Sequence, residues 1–420
     1  MRYLLTMICT AFLIMSCGSD NDEAGGKEPD AIAKRTVMAY IMAENNLSGN
    51  AVEDLREMKE GSRNIPGDVN LVVFVDNTDR NTPPYIAKIS GGKIYKDKEY
   101  NKAGEEFYAS DPQRMGEALN RMMTAYPAEE YGLILWGHAS GWLMAKDTVD
   151  YHAATAESKT MHRAYGYDNG SDMGNGTHRK WINIPTLARV LESMPQRFKF
   201  ILADICNFQC AEVAYELRNV TDFIIGSPAE IPGIGAPYDK IAPLLFGRSD
   251  DFYKPIVDTY FEQKDYYGNT TPLSVIKTSE MENLAAVTGD ALGALAAGVD
   301  IDTENAIFYF GEKRGTTIYK TLTDINCVMK DNLPDAALYD NWKEQLDRTV
   351  VYRTWTKTWT TSYPLNFLFE DAGEHYGGMS MFFPKAEYDG MVFSYDYNND
   401  IKLLQWYYAV GMERFYQNRE

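Results

Sequence analysis

The chain has 420 residues, of which 45% are hydrophobic and 24% are charged, and these proportions are typical of a folded globular protein. Its formal net charge of -19 argues against nucleic acid as a partner, because polyphosphate binding requires clustered Lys and Arg side chains. The length exceeds one typical domain, so we expect a large domain with an appended C-terminal region.

The N-terminus has the pattern of a bacterial lipoprotein signal. A basic start and an apolar run over residues 3–15 precede Ser16 and Cys17, and the run is too short to span a membrane comfortably. We therefore expect residues 1–16 to be removed as a signal peptide and Cys17 to carry the lipid that anchors the protein to a membrane surface. An uncleaved membrane anchor is the alternative.

Residues 17–34 are acidic and rich in glycine, with almost no apolar side chains, so this segment is expected to be a flexible tether. Its early Asp and Glu residues resemble the signals that send Bacteroidetes lipoproteins to the cell surface. The expected location is therefore the cell envelope, either at the outer-membrane surface or facing the periplasm. The lipid anchor is the only expected contact with the membrane.

From residue 35 onward, predicted strands alternate with predicted helices, which indicates a parallel sheet covered on both faces. Apolar, β-favouring runs predict strands at 37–42, 69–75, 131–138, 198–206 and 223–226. Helical spacing of apolar residues predicts helices at 48–59, 111–126 and 184–194 and directly after residue 206. In the first helix we expect an apolar face of Val52, Leu55 and Met58 and an N-cap at Ser48, and the Gly91-Gly92 pair predicts a hairpin.

The pattern is less regular beyond residue 245. It predicts helices at 251–263 and 279–297 and a strand at 273–277. The aromatic-rich stretch 350–363 alternates like an exposed strand or hairpin. We expect clustered aromatics of this region to form the core of a C-terminal subdomain, and the alternative is that they bind sugar rings or peptides.

Two of the predicted strands end at reactive side chains, His138 and Cys206. The carboxyl ends of parallel strands meet at one edge of a sheet, so these side chains are expected to lie close together. A cysteine becomes a good nucleophile when a neighbouring imidazole takes its proton, and the dipole of the helix predicted after Cys206 would also favour the thiolate. The pattern predicts a Cys-His dyad; a buried thiol that only fills space is the alternative.

The cysteine count does not indicate a disulfide framework. Cys9 leaves with the signal peptide and Cys17 is the lipidation site, so Cys206, Cys210 and Cys327 remain, an odd and small number. We interpret Cys210 as a core residue, because the spacing of the two neighbouring cysteines has no companion zinc ligands. A redox role for this pair is the alternative.

Four stretches carry a resemblance to a known family. They are RTVMAYIMAENNL (35–47), LILWGHASGW (133–142), ADICNFQCAEVAYEL (203–217) and PAEIPGIGAPY (228–238). Together they resemble the clostripain family of cysteine peptidases (family C11), relatives of caspases and gingipains. The resemblance implies a caspase-like α/β/α sandwich with a mostly parallel central sheet over residues 35–245, and a C-terminal helical or α+β region, 246–420, that partly completes the catalytic domain.

The family resemblance also implies roles for individual residues. Cys206 matches the nucleophile, His138 the base, and Asp204 the acid that lines the primary specificity pocket and pairs with a substrate Arg or Lys. A recessed carboxylate binds such cations strongly and disfavours apolar side chains. Asp204 could instead cap the following helix. The backbone amides of Ala139 and Cys206 are the expected oxyanion donors.

Several further residues are weaker candidates or depart from the family pattern. Glu230 and Asp168 are acids that could border the pocket, and Glu212 could support the nucleophile structurally. Gly137, Ala139 and Ser140 replace the usual Asp and Gly-Gly around the histidine, which makes the local geometry there less certain. His152, His162, His178 and His375 have no comparable setting and are expected to be structural or surface residues.

A long polar connection separates His138 from the next predicted helix. Loops of this length in a compact domain are usually functional, and the resemblance implies self-cleavage in this region. Lys146 and Lys159 are the candidate processing sites, with a simple surface insertion as the alternative. We expect no metal ligand set and no cofactor, because no carboxylate cluster has the spacing of a calcium loop, and a need for calcium stays open.

The sequence therefore predicts a monomeric cysteine endopeptidase that cleaves protein or peptide substrates after Arg or Lys. A different class is kept as the alternative, a surface-anchored peptide- or protein-binding module on the same fold that has lost activity, because the residues around His138 are altered. A third option is a caspase-like regulator that cleaves a single partner.

Overall fold

The computed structural model describes residues 32–79, 81–100, 107–144, 165–170, 179–266, 268–295, 301–314, 317–357, 375–390 and 395–416. Strands and helices up to residue 226 are β1 (Ala33–Ala43), α1 (Ser48–Gly61), β2 (Asn70–Asn77), β3 (Tyr85–Ser90), β4 (Lys93–Glu99), α2 (Pro112–Ala125), β5 (Ala128–Trp136), β6 (Tyr165–Asp168), β7 (Lys180–Ile182), α3 (Ile184–Glu192), β8 (Phe198–Asp204), α4 (Ala211–Glu216) and β9 (Thr221–Gly226).

The remaining elements belong to the C-terminal part of the chain. They are α5 (Tyr238–Ile241), α6 (Tyr253–Phe261), β10 (Leu273–Lys277), α7 (Met281–Gly293), β11 (Phe308–Arg314), β12 (Thr317–Asp324), α8 (Ile325–Asn332), α9 (Ala336–Thr349), β13 (Val350–Thr354), β14 (Ser380–Met381), α10 (Tyr397–Asp400), α11 (Gln405–Ala409) and α12 (Glu413–Tyr416). Throughout the described part of the chain, no helix has the length and apolar character needed to cross a lipid bilayer.

A nine-stranded mixed sheet organises the fold, in the order β13-β10-β9-β8-β5-β1-β2-β3-β4. The five central strands, β9 to β2 in that order, run parallel to one another. Antiparallel pairs extend the sheet at both ends, β3 with β4 at one and β10 with β13 at the other. The mostly parallel central sheet predicted from the alternating pattern is confirmed.

Side chains of β1 show why the sheet is covered on both faces. Val37, Ala39 and Ile41 join one hydrophobic cluster, which includes buried residues of α1, α5 and α6. The intervening residues Met38 and Tyr40 join a second cluster, which includes residues of α2, α3, α4, α7 and α9. Successive side chains of a strand point to opposite faces, so a continuous apolar run builds two cores. The result is an α/β/α sandwich.

Two small antiparallel sheets accompany the main one, β11-β12-β14 and β6-β7. The strand predicted at 273–277 is confirmed as β10, and the part of the aromatic stretch that is described, β13, pairs with it in the main sheet. Residues 358–363 of that stretch lie outside the described residues. The Gly91-Gly92 hairpin between β3 and β4 is confirmed, with φ angles of 57° and 79°.

The first helix differs from its prediction in two respects. Its N-cap position is Leu47, whose apolar side chain cannot accept a hydrogen bond, and the Ser48 hydroxyl instead accepts one from the Thr78 hydroxyl (2.9 Å). Its apolar face is also rotated, because Val52 is 65% exposed whereas Asp54 is only 2% exposed. A buried acid in place of an apolar residue therefore faces the sheet.

Candidate active site

Neighbouring strands deliver the two predicted catalytic side chains to one edge of the sheet. β5 and β8 are parallel, and Trp136 at the end of β5 is in register with Asp204 at the end of β8. His138 and Cys206 each follow two residues later, so equal spacing places them side by side at the carboxyl edge. Both line a single cavity of about 300 Å³, together with Asp204 and Glu230.

A glycine and an asparagine position the half-buried His138. Gly137 has a φ of 140°, and a Cβ there would lie 3.0 Å from the Met42 carbonyl oxygen, so a glycine suits the turn into the histidine. His138 Nε2 lies 2.8 Å from Asn46 Oδ1, and the imidazole and the Tyr167 ring pack edge to face with centroids 5.8 Å apart. An oxygen acceptor at Nε2 requires a proton on that nitrogen, which leaves Nδ1 as the nitrogen that can take a proton.

Asn46 is a site residue that the sequence analysis missed. It follows the end of β1, the strand next to β5 in the sheet. A polar residue directly after a buried strand is the signal that could have identified it, since parallel strands end at a common edge. The signal was weak because Asn45 and Asn46 are adjacent, and only the structure distinguishes them: Asn45 donates to the Met42 and Tyr167 carbonyl oxygens instead.

The surroundings of the Cys206 thiol differ from the prediction. Residues 207–210 are not helical, and α4 begins only at Ala211 with Cys210 at its N-cap position, so the thiol does not lie at a helix N-terminus. The Asn207 and Gln209 amides donate to carbonyl oxygens of Ala229 (2.8 Å) and Ser227 (3.1 Å), so this segment pairs with the chain after β9. The Ile231 amide donates to Cys206 Sγ (3.3 Å), and the thiol donates to the Ile231 carbonyl oxygen (3.8 Å).

Asp204 lies in the cavity wall, 5% exposed, and accepts three hydrogen bonds. The donors are the Tyr260 hydroxyl (2.6 Å), the Tyr238 hydroxyl (2.8 Å) and the Ala236 amide (3.2 Å). Burial raises the pKa of Asp204, and these hydrogen bonds oppose the rise. Because all three donors lie after residue 235 and the N-cap of α4 has no side-chain hydrogen bond, Asp204 does not cap that helix.

The two weaker acidic candidates lie in different places. Glu230 lines the cavity, whereas Asp168 belongs to a separate buried cluster with Glu44 and Asp76, in which one carboxylate oxygen of each lies within 4.8 Å of the others. That spacing could hold a metal ion, and sequence spacing did not reveal it because Glu44 follows β1 whereas Asp76 lies in β2 and Asp168 ends β6. Burial raises the pKa of Asp168 well above its usual range. Asp168 therefore does not border the pocket, contrary to the expectation.

Cys210 and Cys327 are buried free thiols whose pKa values are raised by burial, so the interpretation of Cys210 as a core residue is confirmed. Glu212 is fully buried, accepts a hydrogen bond from the Phe382 amide (2.7 Å) and has its pKa raised to about 7 by burial. It thus ties α4 to the C-terminal part of the chain. His375 lies 3.2 Å from Lys330 Nζ through Nδ1.

Some predicted residues cannot be compared with the structure. Ala139 is buried and bridges to Tyr165, and its role as an oxyanion donor stays a prediction. The remaining candidates lie outside the described residues: Cys17, Lys146, Lys159, His152, His162 and His178.

Comparisons with known proteins identify the family of this chain. The clostripain family model matches residues 39–410. Clostripain of Hathewaya histolytica is 25% identical over 234 residues, which are 50% of this chain and 41% of that protein, so the match spans less than half of that relative.

Two solved structures have similar folds. A secreted C11 cysteine protease from Bacteroides thetaiotaomicron, in complex with an irreversible peptide inhibitor, is 26% identical with a TM-score of 0.72 and covers 91% of this chain and 99% of its own. An inactive zymogen C11 protease from Parabacteroides distasonis is 24% identical with a TM-score of 0.69, covers 90% of this chain and 98% of its own, and shares the fold. Because the family model spans most of the sequence, this chain belongs to the clostripain family of cysteine peptidases.

Proposed function

We propose that this protein is a cysteine endopeptidase that cleaves peptide bonds after Arg or Lys through a Cys206-His138 dyad. The observation that carries the proposal is the shared cavity at the carboxyl edge of the sheet. Cys206, His138 and the recessed Asp204 all line this cavity. An imidazole beside a thiol supplies the base, and the acid supplies selectivity.

The residues perform the reaction in two stages. His138 takes the Cys206 proton, the thiolate attacks the scissile carbonyl carbon, and a C–S bond forms while the oxyanion is held by the backbone amides of Ala139 and Cys206. His138 then protonates the leaving amine, the C–N bond breaks and an acyl-enzyme remains. Water then attacks the thioester carbon with His138 as base, the C–S bond breaks, the carboxylic acid product leaves and the Cys206 thiol is restored. Asn46 acts as a positioning residue that keeps Nδ1 of His138 directed to the reaction.

Substrate selection belongs to Asp204. Its oxygens are fixed by the Tyr238 and Tyr260 hydroxyls, so the carboxylate is oriented before substrate arrives. A guanidinium or ammonium group in the cavity gains a charged hydrogen bond, whereas an apolar side chain leaves the buried carboxylate without a counter-charge. The overall charge of -19 also attracts basic segments of substrates.

Maturation and location are part of the proposal. We infer that the chain is self-processed after Lys146 or Lys159, and the existence of an inactive zymogen in the family supports a maturation step. We also infer a cell-envelope lipoprotein anchored through Cys17, in keeping with a relative described as secreted. Intact mass after incubation of the purified full chain reports signal removal, lipid attachment and the cleavage site together.

Fluorogenic peptides with Arg, Lys or an uncharged residue before the scissile bond test the activity. We expect turnover of the Arg and Lys peptides by the processed protein and none by Cys206→Ala. Cys327→Ala is the matched control, because it also removes a thiol but lies away from the cavity, and it should retain turnover. Peptide binding without turnover by the processed wild type would support an inactive binding module, and cleavage of one protein but of no short peptide would support a dedicated regulator.

A further inference from the structure

A second buried carboxyl group lies behind the Asp204 pocket. Asp54 of α1 is 2% exposed, and its Oδ2 accepts a hydrogen bond of 2.6 Å from the Trp136 indole, which itself lines the cavity. A Cβ on Gly235 would lie 3.0 Å from Asp204 Oδ2 and 3.4 Å from Asp54 Oδ2. Both carboxyl groups therefore flank one cavity-lining glycine, whose φ of 61° and missing side chain make room for them.

The charges around Asp54 are acidic. Those with the greatest effect on it are Asp204, Glu57 and Glu53, and the phenols of Tyr238 on α5 and Tyr260 on α6 face the same region. Burial, followed by the charge of Asp204, raises the pKa of Asp54 to about 8. Near neutral pH the pair therefore holds a proton, since two close carboxylates cannot both ionise without a counter-charge.

We propose that Asp54 is a specificity-determining residue, and that the Asp54 and Asp204 carboxyl groups form a pair that ionises fully only when a cationic substrate side chain enters the pocket. This inference rests on the proposed cleavage after Arg and Lys and deepens it. When the substrate cation enters, the Asp54 proton leaves to solvent, so the net charge of the pocket is conserved. The Trp136 N–H continues to donate to the new carboxylate. Asp54 does not line the cavity, so it acts on the substrate only through Asp204 and through the electrostatic potential in the pocket. It is therefore a positioning residue.

Two consequences distinguish this role from a purely structural one. Protons compete with the substrate cation, so affinity for Arg and Lys peptides rises as pH rises to about 8 and then levels off. An uncharged peptide gains nothing from ionisation of Asp54, so its affinity should not follow the same profile.

The first test compares KM and kcat of wild type and Asp54→Asn, which keeps an oxygen acceptor for Trp136 but cannot ionise. For Arg and Lys peptides we expect KM to rise about tenfold at high pH, with kcat within about twofold and the pH dependence of KM lost. Glu60→Gln is the matched control, since it removes a charge from an exposed position of the same helix that does not line the cavity, and it should behave as wild type. Unchanged KM and pH profile in Asp54→Asn, or an equal rise in KM for uncharged peptides, would overturn the inference.

A second test does not depend on the Asp54 variant folding. Calorimetry of an Arg peptide binding to the processed protein with Cys206 blocked by S-methylation, in two buffers of different ionisation enthalpy, counts the protons released. We expect release of most of one proton near neutral pH and little above pH of about 9; zero release at both would overturn the inference. If wild type cleaves basic peptides and these results fail, only the role of Asp54 falls, whereas absence of basic-peptide cleavage by wild type refutes the proposed function itself.

Discussion

Replacing Asp204 by asparagine should remove selectivity for basic substrates while keeping the fold. The side chain is nearly isosteric, and its three hydrogen-bond partners, Tyr260, Tyr238 and the Ala236 amide, can be retained. The amide oxygen still accepts, and a rotated tyrosine hydroxyl can accept from the new NH2 group. What is lost is the negative charge. Removing one partner of a buried, hydrogen-bonded charge pair costs about 2–5 kcal/mol, which corresponds to roughly 30- to 5,000-fold in kcat/KM.

The assay is the ratio of kcat/KM for an Arg peptide to that for its uncharged citrulline analogue, measured for wild type and Asp204→Asn. We expect the ratio to collapse towards one, mainly through loss of the Arg reaction. Asp250→Asn provides a control for the net charge change, because Asp250 is exposed and does not line the cavity. If Asp204→Asn kept the wild-type ratio, the recessed carboxylate would not be the source of selectivity, and the argument from the pocket would be refuted.

Three further predictions follow from the geometry. Asn46→Ala should lower kcat about 10- to 100-fold with little change in KM, because His138 loses its orienting acceptor, and an equal rise in KM would contradict this. Gly166→Ala should destabilise the protein by about 1–3 kcal/mol in urea unfolding, since its φ is 66° and a Cβ would overlap Met42, whereas Gly49→Ala, with open space around it, should not. Because the pKa of Asp54 is raised from 3.8 to about 8, the folded state keeps a proton that the unfolded chain releases, so stability falls as pH rises through this window. Asp54→Asn should remove that slope and add roughly 2–4 kcal/mol of stability at the upper end, and an unchanged slope in urea titrations at several pH values would exclude it.

The elements that sequence could predict are those in which local pattern and tertiary position agree. The apolar runs of β5 and β8 are buried on both faces, and each ends two residues before its reactive side chain, so periodicity placed His138 and Cys206 at one edge of the sheet. Their roles as base and nucleophile came from the family resemblance and stay a prediction. The segment after Cys206 failed for the opposite reason. Its polar and apolar residues fit a helix, but the Asn207 and Gln209 amides donate hydrogen bonds to the chain after β9. Such long-range interactions cannot be predicted from the local sequence pattern.

The face of α1 was also beyond prediction. The spacing of Val52, Leu55 and Met58 fits an amphipathic helix, yet the helix is turned so that Asp54 faces inwards and Val52 faces solvent. An acid is an improbable core residue unless something pairs with it. Here the Trp136 indole of β5 donates a hydrogen bond to Asp54. The sequence cannot identify this partner, because the contact depends on how α1 packs against the sheet.

The same placement shows how the proposed selectivity for cations would need few contacts with the substrate. Asp54 and Asp204 lie far apart in sequence, but Trp136 bonds to one and is in register with the other, so the strand order itself brings the two carboxyl groups together. Burying such a pair is costly unless one group keeps its proton or a cation is supplied. Under the proposed function, a substrate Arg or Lys would supply it and relieve that cost, whereas an uncharged side chain would not. Discrimination would then arise from the electrostatics of the carboxyl pair, which is why neutralising either Asp54 or Asp204 should weaken it.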